Sequence, residues 1–181
     1  MLETTESNEA HLEGFAFGMT DGIICFIGII IGVAQATRDP TMVIIAGIVG
    51  GIADAFGNSI GFFISQITEQ NIQLNQKETL GREIHVHTQK EVIYSGLFSF
   101  VATIIALILL IGPYFIISEF DIAMLLTFIL GIFALFFLGI YVAKIGQKNP
   151  LRMGLFYAII GITGAILSFV IGSYLNQVFQ L

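Results

Sequence analysis

The sequence predicts an all-α integral membrane protein with five transmembrane helices and a cytoplasmic N-terminus. Three observations carry that prediction. Apolar residues make up 56% of the 181-residue chain and charged residues only 11%, whereas soluble domains use about 25% charge to cover a water-facing surface. The apolar residues fall in long unbroken runs, not in the alternation of a barrel strand, and such a run must satisfy its own backbone groups as a helix. Five of the runs are near or above the ~20 residues that ~30 Å of hydrocarbon requires.

The runs are 14–36, 41–65, 93–117, 121–143 and 153–175, and together they form one transmembrane domain over 1–181. Thr37-Arg38-Asp39-Pro40 is a tight turn, with Pro40 at the first position of the second helix. Ser118-Glu119-Phe120 separates the third and fourth helices, and Lys144 to Arg152, with Asn149-Pro150, separates the fourth and fifth. Pro113 near the end of the third run kinks or ends that helix. The sizeable polar stretch is 66–92, which reads as a solvated, helical, charge-mixed cytoplasmic connector.

Orientation follows from the basic residues. Lys77, Arg82, Lys90, Lys144, Lys148 and Arg152 fall on the side of the connector and the N-terminus, and only Arg38 falls on the other. The positive-inside rule therefore places the connector in the cytoplasm. Residues 1–13 carry four Glu and no Lys or Arg, unlike the basic start of a secretory signal. The single Cys25 excludes an intramolecular disulfide and a cysteine-based metal cluster. Nucleic acid as a partner would need a basic patch that this chain lacks.

Small residues point to helix packing. Gly18/Gly22, Gly28/Gly32, Gly47/Gly51 and Gly57/Gly61 are spaced by four on the first two helices, and such pairs let membrane helices approach closely. They predict a tight hairpin of helices one and two. The last two helices, with Gly131, Gly139, Gly161 and Gly172, read as scaffold or dimer surface.

Asp21 and Asp54 lie inside the first and second runs. A carboxylate at bilayer depth costs on the order of 2.5–3.5 kcal/mol on insertion scales, and it usually marks an ion or proton path. At 1.5 Å per residue, Asp21 and Asn58 both sit roughly 10 Å below the cytoplasmic surface. Asp54 is one turn deeper than Asn58 and on the same face. If Gly50, Asp54, Asn58 and Gly61 face Asp21, two acids and an amide line one cavity. Oxygen ligands of this kind suit hard or borderline divalent cations, and carboxylates also exchange protons. A cation arriving between two acids would expel the protons they hold, which is the physical basis of cation/proton exchange.

Softer candidates surround the pair. Cys25 is four residues after Asp21 and can offer sulfur to the same cavity, while Met19 lies on another side of the helix; both residue types are most often plain packing. The connector offers Glu69, Glu78, Glu83, His85 and His87, with Glu91 beside them and His11 and Glu13 before the first helix. No HxxxH or HxxE pair is present, so a preformed site there is weakly signalled. Nothing resembles an HExxH, a Ser/His pair or a paired catalytic Asp within the helices, so the chain does not read as an enzyme. An organic substrate would need more fixed polar partners than the helices hold. The rival reading is a membrane scaffold or sensor in which both acids only lock helices.

Phe17-Gly18-Met19-Thr20-Asp21-Gly22, followed by Gly28 to Ala34, resembles the first-span Asp-Gly motif of the vacuolar iron transporter family. Gly50 to Asn58 sits where that family has a small-residue run ending in Gly-Glu. Gly112-Pro113-Tyr114 resembles the end of its third span, and Met153 to Gly172 its fifth. The resemblance runs in order along about the whole chain. It implies a five-span homodimer that exports cytoplasmic Fe²⁺ or Mn²⁺ in exchange for protons, with Asp21 as the first-span ion-path acid and no resident cofactor. Asp54 stands where many members have Met, and Asn58 where they have Glu. That exchange keeps a carboxylate but shifts the preferred metal toward harder ions. The connector is much shorter than the Glu-rich metal-binding domain of plant members, so the chain resembles the compact prokaryotic or archaeal branch, in a cell membrane.

Overall fold

The computed structural model describes residues 3–81 and 86–179. Its helices are α1 (Glu3–Thr37), α2 (Pro40–Leu80), α3 (Gln89–Ile111), α4 (Pro113–Ile116), α5 (Phe120–Ile145) and α6 (Pro150–Phe179). No strand occurs among the described residues. All but the four-residue α4 are long and apolar enough to cross a membrane. The five-span, all-α fold is therefore the one the apolar runs predict.

Helix boundaries follow local chemistry. The Asp39 carboxylate accepts from Thr41 N at 2.7 Å and Pro40 opens α2, which uses one of the helix's unpaired N–H groups. α2 then continues without a break through the polar connector sequence to Leu80, where Gly81 adopts φ 59° and closes it. Its 41 residues at about 1.5 Å each span about twice the hydrocarbon thickness, so its polar end stands clear of the bilayer. Thr88 starts α3 with a capping box: its hydroxyl accepts from Glu91 N at 3.3 Å, and Glu91 Oε2 accepts from Thr88 N at 2.8 Å. The run expected over 93–117 is divided. α3 stops at Ile111 and a separate turn begins at Pro113, because proline supplies no N–H to continue the ladder.

α1 is the central helix and packs against α2, α3, α5 and α6. Its first half turns Gly14, Gly18 and Gly22 toward α3, where an added Cβ at Gly14 or Gly18 would collide with the carbonyl oxygens of Ser95 and Ser99. Its second half turns Gly28 and Gly32 toward Ser168 and Gly172 of α6. Gly47 and Gly51 of α2 meet Ile111 and Leu107 of α3. The closest glycine approaches thus join α1 to α3 and α6, and α2 to α3; α1 and α2 do pack side by side, but not through the glycine pairs expected to close that hairpin. Glycine spacing shows that a helix has a smooth face, but not which neighbour comes to it. Gly131, Gly139, Gly161 and Gly172 each sit against a neighbouring helix, as scaffold positions would.

The apolar core surrounds the second half of α1. Ile23, Phe26, Ile27 and Ile30 are fully buried there with Leu110, Leu135 and Val43. Polar ties fasten the same end: Asn176 Nδ2 donates to Ala36 O at 2.7 Å, and Arg38 reaches Asp121 at 2.9 Å and lies over the Phe120 ring.

Candidate functional site

The first half of α1 faces α2 through every fourth residue. Gln66 Nε2 donates to Glu13 Oε2 at 3.4 Å, and Gln66 is only 3% exposed. One turn further along, the rings of Phe17 and Phe62 lie 5.1 Å apart. Next come Asp21 and Cys25 of α1 opposite Asn58 and Asp54 of α2. Cys25 and Asp21 lie near enough to Asp54 for the three side chains to act on one another electrostatically. Beyond them Ile29 lies against Gly50. The seam therefore passes from a polar rung through an aromatic one to the acids, and ends in apolar packing.

A hydrogen-bond chain fixes the acidic rung to α3. Asn58 Nδ2 donates to Asp54 Oδ2 at 3.2 Å and to Thr103 Oγ1 at 3.3 Å. Thr103 Oγ1 in turn donates to Gly18 O at 3.1 Å and Ser99 O at 3.0 Å. Asp21, Asp54, Asn58 and Cys25 are all half-buried, whereas Thr103 is fully buried. Asp54 and Asn58 share one face, as the spacing of four requires; Asn58 on that face meets Thr103 of α3, and Asp54 is near enough to Asp21 of α1 to feel its charge.

The other candidates are elsewhere. Met19 lines a cleft with Phe15, Ile23, Ala134 and Leu138, on the α5 side of α1. Glu69 and Glu78 are exposed on the polar end of α2, where Gln73 donates to Glu69 at 3.3 Å. The His87 backbone is held by Gln70 and by Gln73, its N–H donating to Gln73 Oε1 at 2.9 Å. Glu83 and His85 lie outside the described residues. Among the described residues no three His, Cys, Asp or Glu side chains gather into a ligand set. Thr103 and Gln66 escaped the sequence reading. Ser95, Ser99 and Thr103 at a spacing of four would have flagged the hydroxyl face of α3.

Two opposed carboxylates in the apolar stretch of paired membrane-length helices define a membrane protein organised around a polar seam. The VIT family model matches residues 12–94 and 77–173. An uncharacterized protein of Methanocaldococcus jannaschii is 30% identical over 178 residues, covering 92% of this chain and 91% of that protein. The chain belongs to the VIT family, a family of metal-ion transporters rather than enzymes.

Proposed function

We propose that the chain exports a divalent cation, Fe²⁺ or Mn²⁺, from the cytoplasm in exchange for protons, along the seam between α1 and α2. The observation that carries this is that Asp21 and Asp54, each in a membrane-length apolar helix, lie near enough for the charge of one to act on the other. Asn58 adds a neutral oxygen and Cys25 a sulfur at the edge of the set. Carboxylate and amide oxygens suit Mn²⁺ and Fe²⁺, and a cation competes with protons for the same carboxylate oxygens, which is what couples the two. Lys77, Arg82, Lys90, Lys144, Lys148 and Arg152 put the connector side in the cytoplasm. The archaeal relative supports a prokaryotic cell membrane.

Two acids and an amide are fewer oxygens than a hard cation takes. Water and a second copy of the chain complete the set in this reading, which makes the functional unit a homodimer. Ala53, Gly57 and Gly61 support it: they form an exposed stripe of small residues on α2 beside Asp54, with nothing within 4 Å of a Cβ added at Gly57 or Gly61.

The test is flux in proteoliposomes holding a metal-quenched dye and a pH dye. Wild type should move Mn²⁺ or Fe²⁺ against an opposing proton movement. Asp21→Asn and Asp54→Asn should fold and lose both signals. Flux that survives in either variant removes that acid from the path. A wild type that moves no divalent ion under a proton gradient leaves the acids as helix locks and favours the scaffold.

A further inference from the structure

Thr103 is where three helices meet, and its hydroxyl has a single proton to give. Two backbone carbonyls compete for that proton, Gly18 O on α1 and Ser99 O on α3. Whichever holds it, the oxygen shows only lone pairs to α2. Its contact there is Asn58 Nδ2, so Asn58 must be the donor. The second amide hydrogen goes to Asp54 Oδ2. With both hydrogens committed, the carbonyl Oδ1 is the atom the amide has left, and it is purely an acceptor. A flipped amide would set lone pair against lone pair at Thr103 and again at the Asp54 carboxylate. The orientation of Asn58 is thus dictated by backbone carbonyls one residue removed from it, through Thr103.

We propose that Thr103 is a positioning residue for the transported cation: it turns Asn58 so that Oδ1, not the NH₂ group, faces a metal ion held beside Asp54. The proposal rests on the seam being the metal path. It makes α3, which contributes no ligand, part of the apparatus that sets affinity. It also gives the close approach at Gly18 a purpose beyond packing, since that approach brings the Gly18 carbonyl to the Thr103 hydroxyl. In the absence of the hydroxyl, Asp54 is the one remaining partner that orients the Asn58 amide, and the second amide hydrogen has no acceptor. Held by one bond instead of two, the amide turns more readily to set a positive edge toward the cation.

The experiment measures Mn²⁺ binding to the purified full chain and Mn²⁺ flux in proteoliposomes, with anaerobic Fe²⁺ as the second probe. Thr103→Val keeps the shape and removes the hydroxyl; Thr103→Ser keeps the hydroxyl and removes a methyl. The valine variant should bind about 10-fold more weakly, the scale of a lost orienting partner, and raise KM while kcat stays close to wild type. The serine variant should restore both. If the valine variant does not fold, Thr103→Ala replaces it, with the same expected contrast to serine. Wild-type affinity in the variant lacking the hydroxyl overturns the proposal. So does a serine variant as weak as valine, because then the methyl packing matters and not the hydrogen bond. A wild type that binds Mn²⁺ or Fe²⁺ without moving it overturns transport alone, and the binding constants still decide the role of Thr103. A wild type that binds neither ion overturns both.

Discussion

Cys25 is the chain's single thiol, and its closeness to Asp54 places it at the rung where the cation is proposed to sit. A native reporter is therefore already in place. Alkylation of Cys25 should be slow, because the thiol is half-buried, and Mn²⁺ should slow it further by occupying the rung. Mass spectrometry of the intact chain with and without Mn²⁺ reads this directly. Equal labelling in both conditions would put the cation somewhere other than beside Asp54. Residues of this kind were unequally legible in the sequence. Asp21 and Asp54 stand out because a charge in an apolar run is expensive enough to need a reason. Asn58 follows from them by helical spacing alone. Thr103 did not stand out, since a threonine in a membrane helix can satisfy its own hydroxyl on a carbonyl one turn back, and Thr103 does bond to Ser99 O. Only the three-dimensional approach of α1 and α2 to that same hydroxyl separates it from the ordinary case.

At the scale of helices, glycines with the same sequence pattern do different work. Gly18 has the Ser99 backbone directly against it, whereas Gly57 has open space. A methyl at Gly18 must push two backbones apart, and overpacking of this sort costs about 1–3 kcal/mol. A methyl at Gly57 meets nothing in this chain, and alanine is the better helix former by about 1 kcal/mol. In the detergent-solubilised monomer, Gly18→Ala should accordingly lower the thermal midpoint, while Gly57→Ala leaves it unchanged or raises it. A matching fall for both in the monomer would mean that Gly57, too, has a close neighbour within the chain. Spacing alone could not draw this distinction, which is why the glycines expected to close the α1–α2 hairpin serve contacts with α3 and α6 instead. Helix existence, by contrast, was legible throughout. The apolar runs and the flanking Pro40, Pro113 and Pro150 mark the ends of the elements through chemistry that acts within a turn, without reference to a distant neighbour.

In the whole molecule α2 packs on α1 and α3, and α6 on α1 and α5, so each leaves one side without a neighbouring helix; the side that α2 leaves free is the one beside Asp54. Its free side carries Ala53, Gly57 and Gly61 next to Asp54. Small residues without a partner are a poor way to face lipid, because they forfeit dispersion contact that a larger side chain would gain, and a good way to seat another helix. A two-fold axis along this stripe would bring a second Asp54 to the same level and supply the oxygens that one seam lacks. Gly57→Leu and Gly61→Leu should therefore leave the individual chain folded, because a Cβ at either position has nothing of this chain within 4 Å and the rest of the side chain extends from an exposed face. They should separate the dimer into monomers, measured by light scattering of the detergent complex or by subunit counting in liposomes. Metal flux should fall in step with the dimer fraction, although neither substitution touches Asp21, Asp54 or Asn58 by changing their identity. A dimer that survives both substitutions would move the interface off α2. The cation would then have only the ligands of one seam and water, and flux would have to be explained without a second pair of carboxylates.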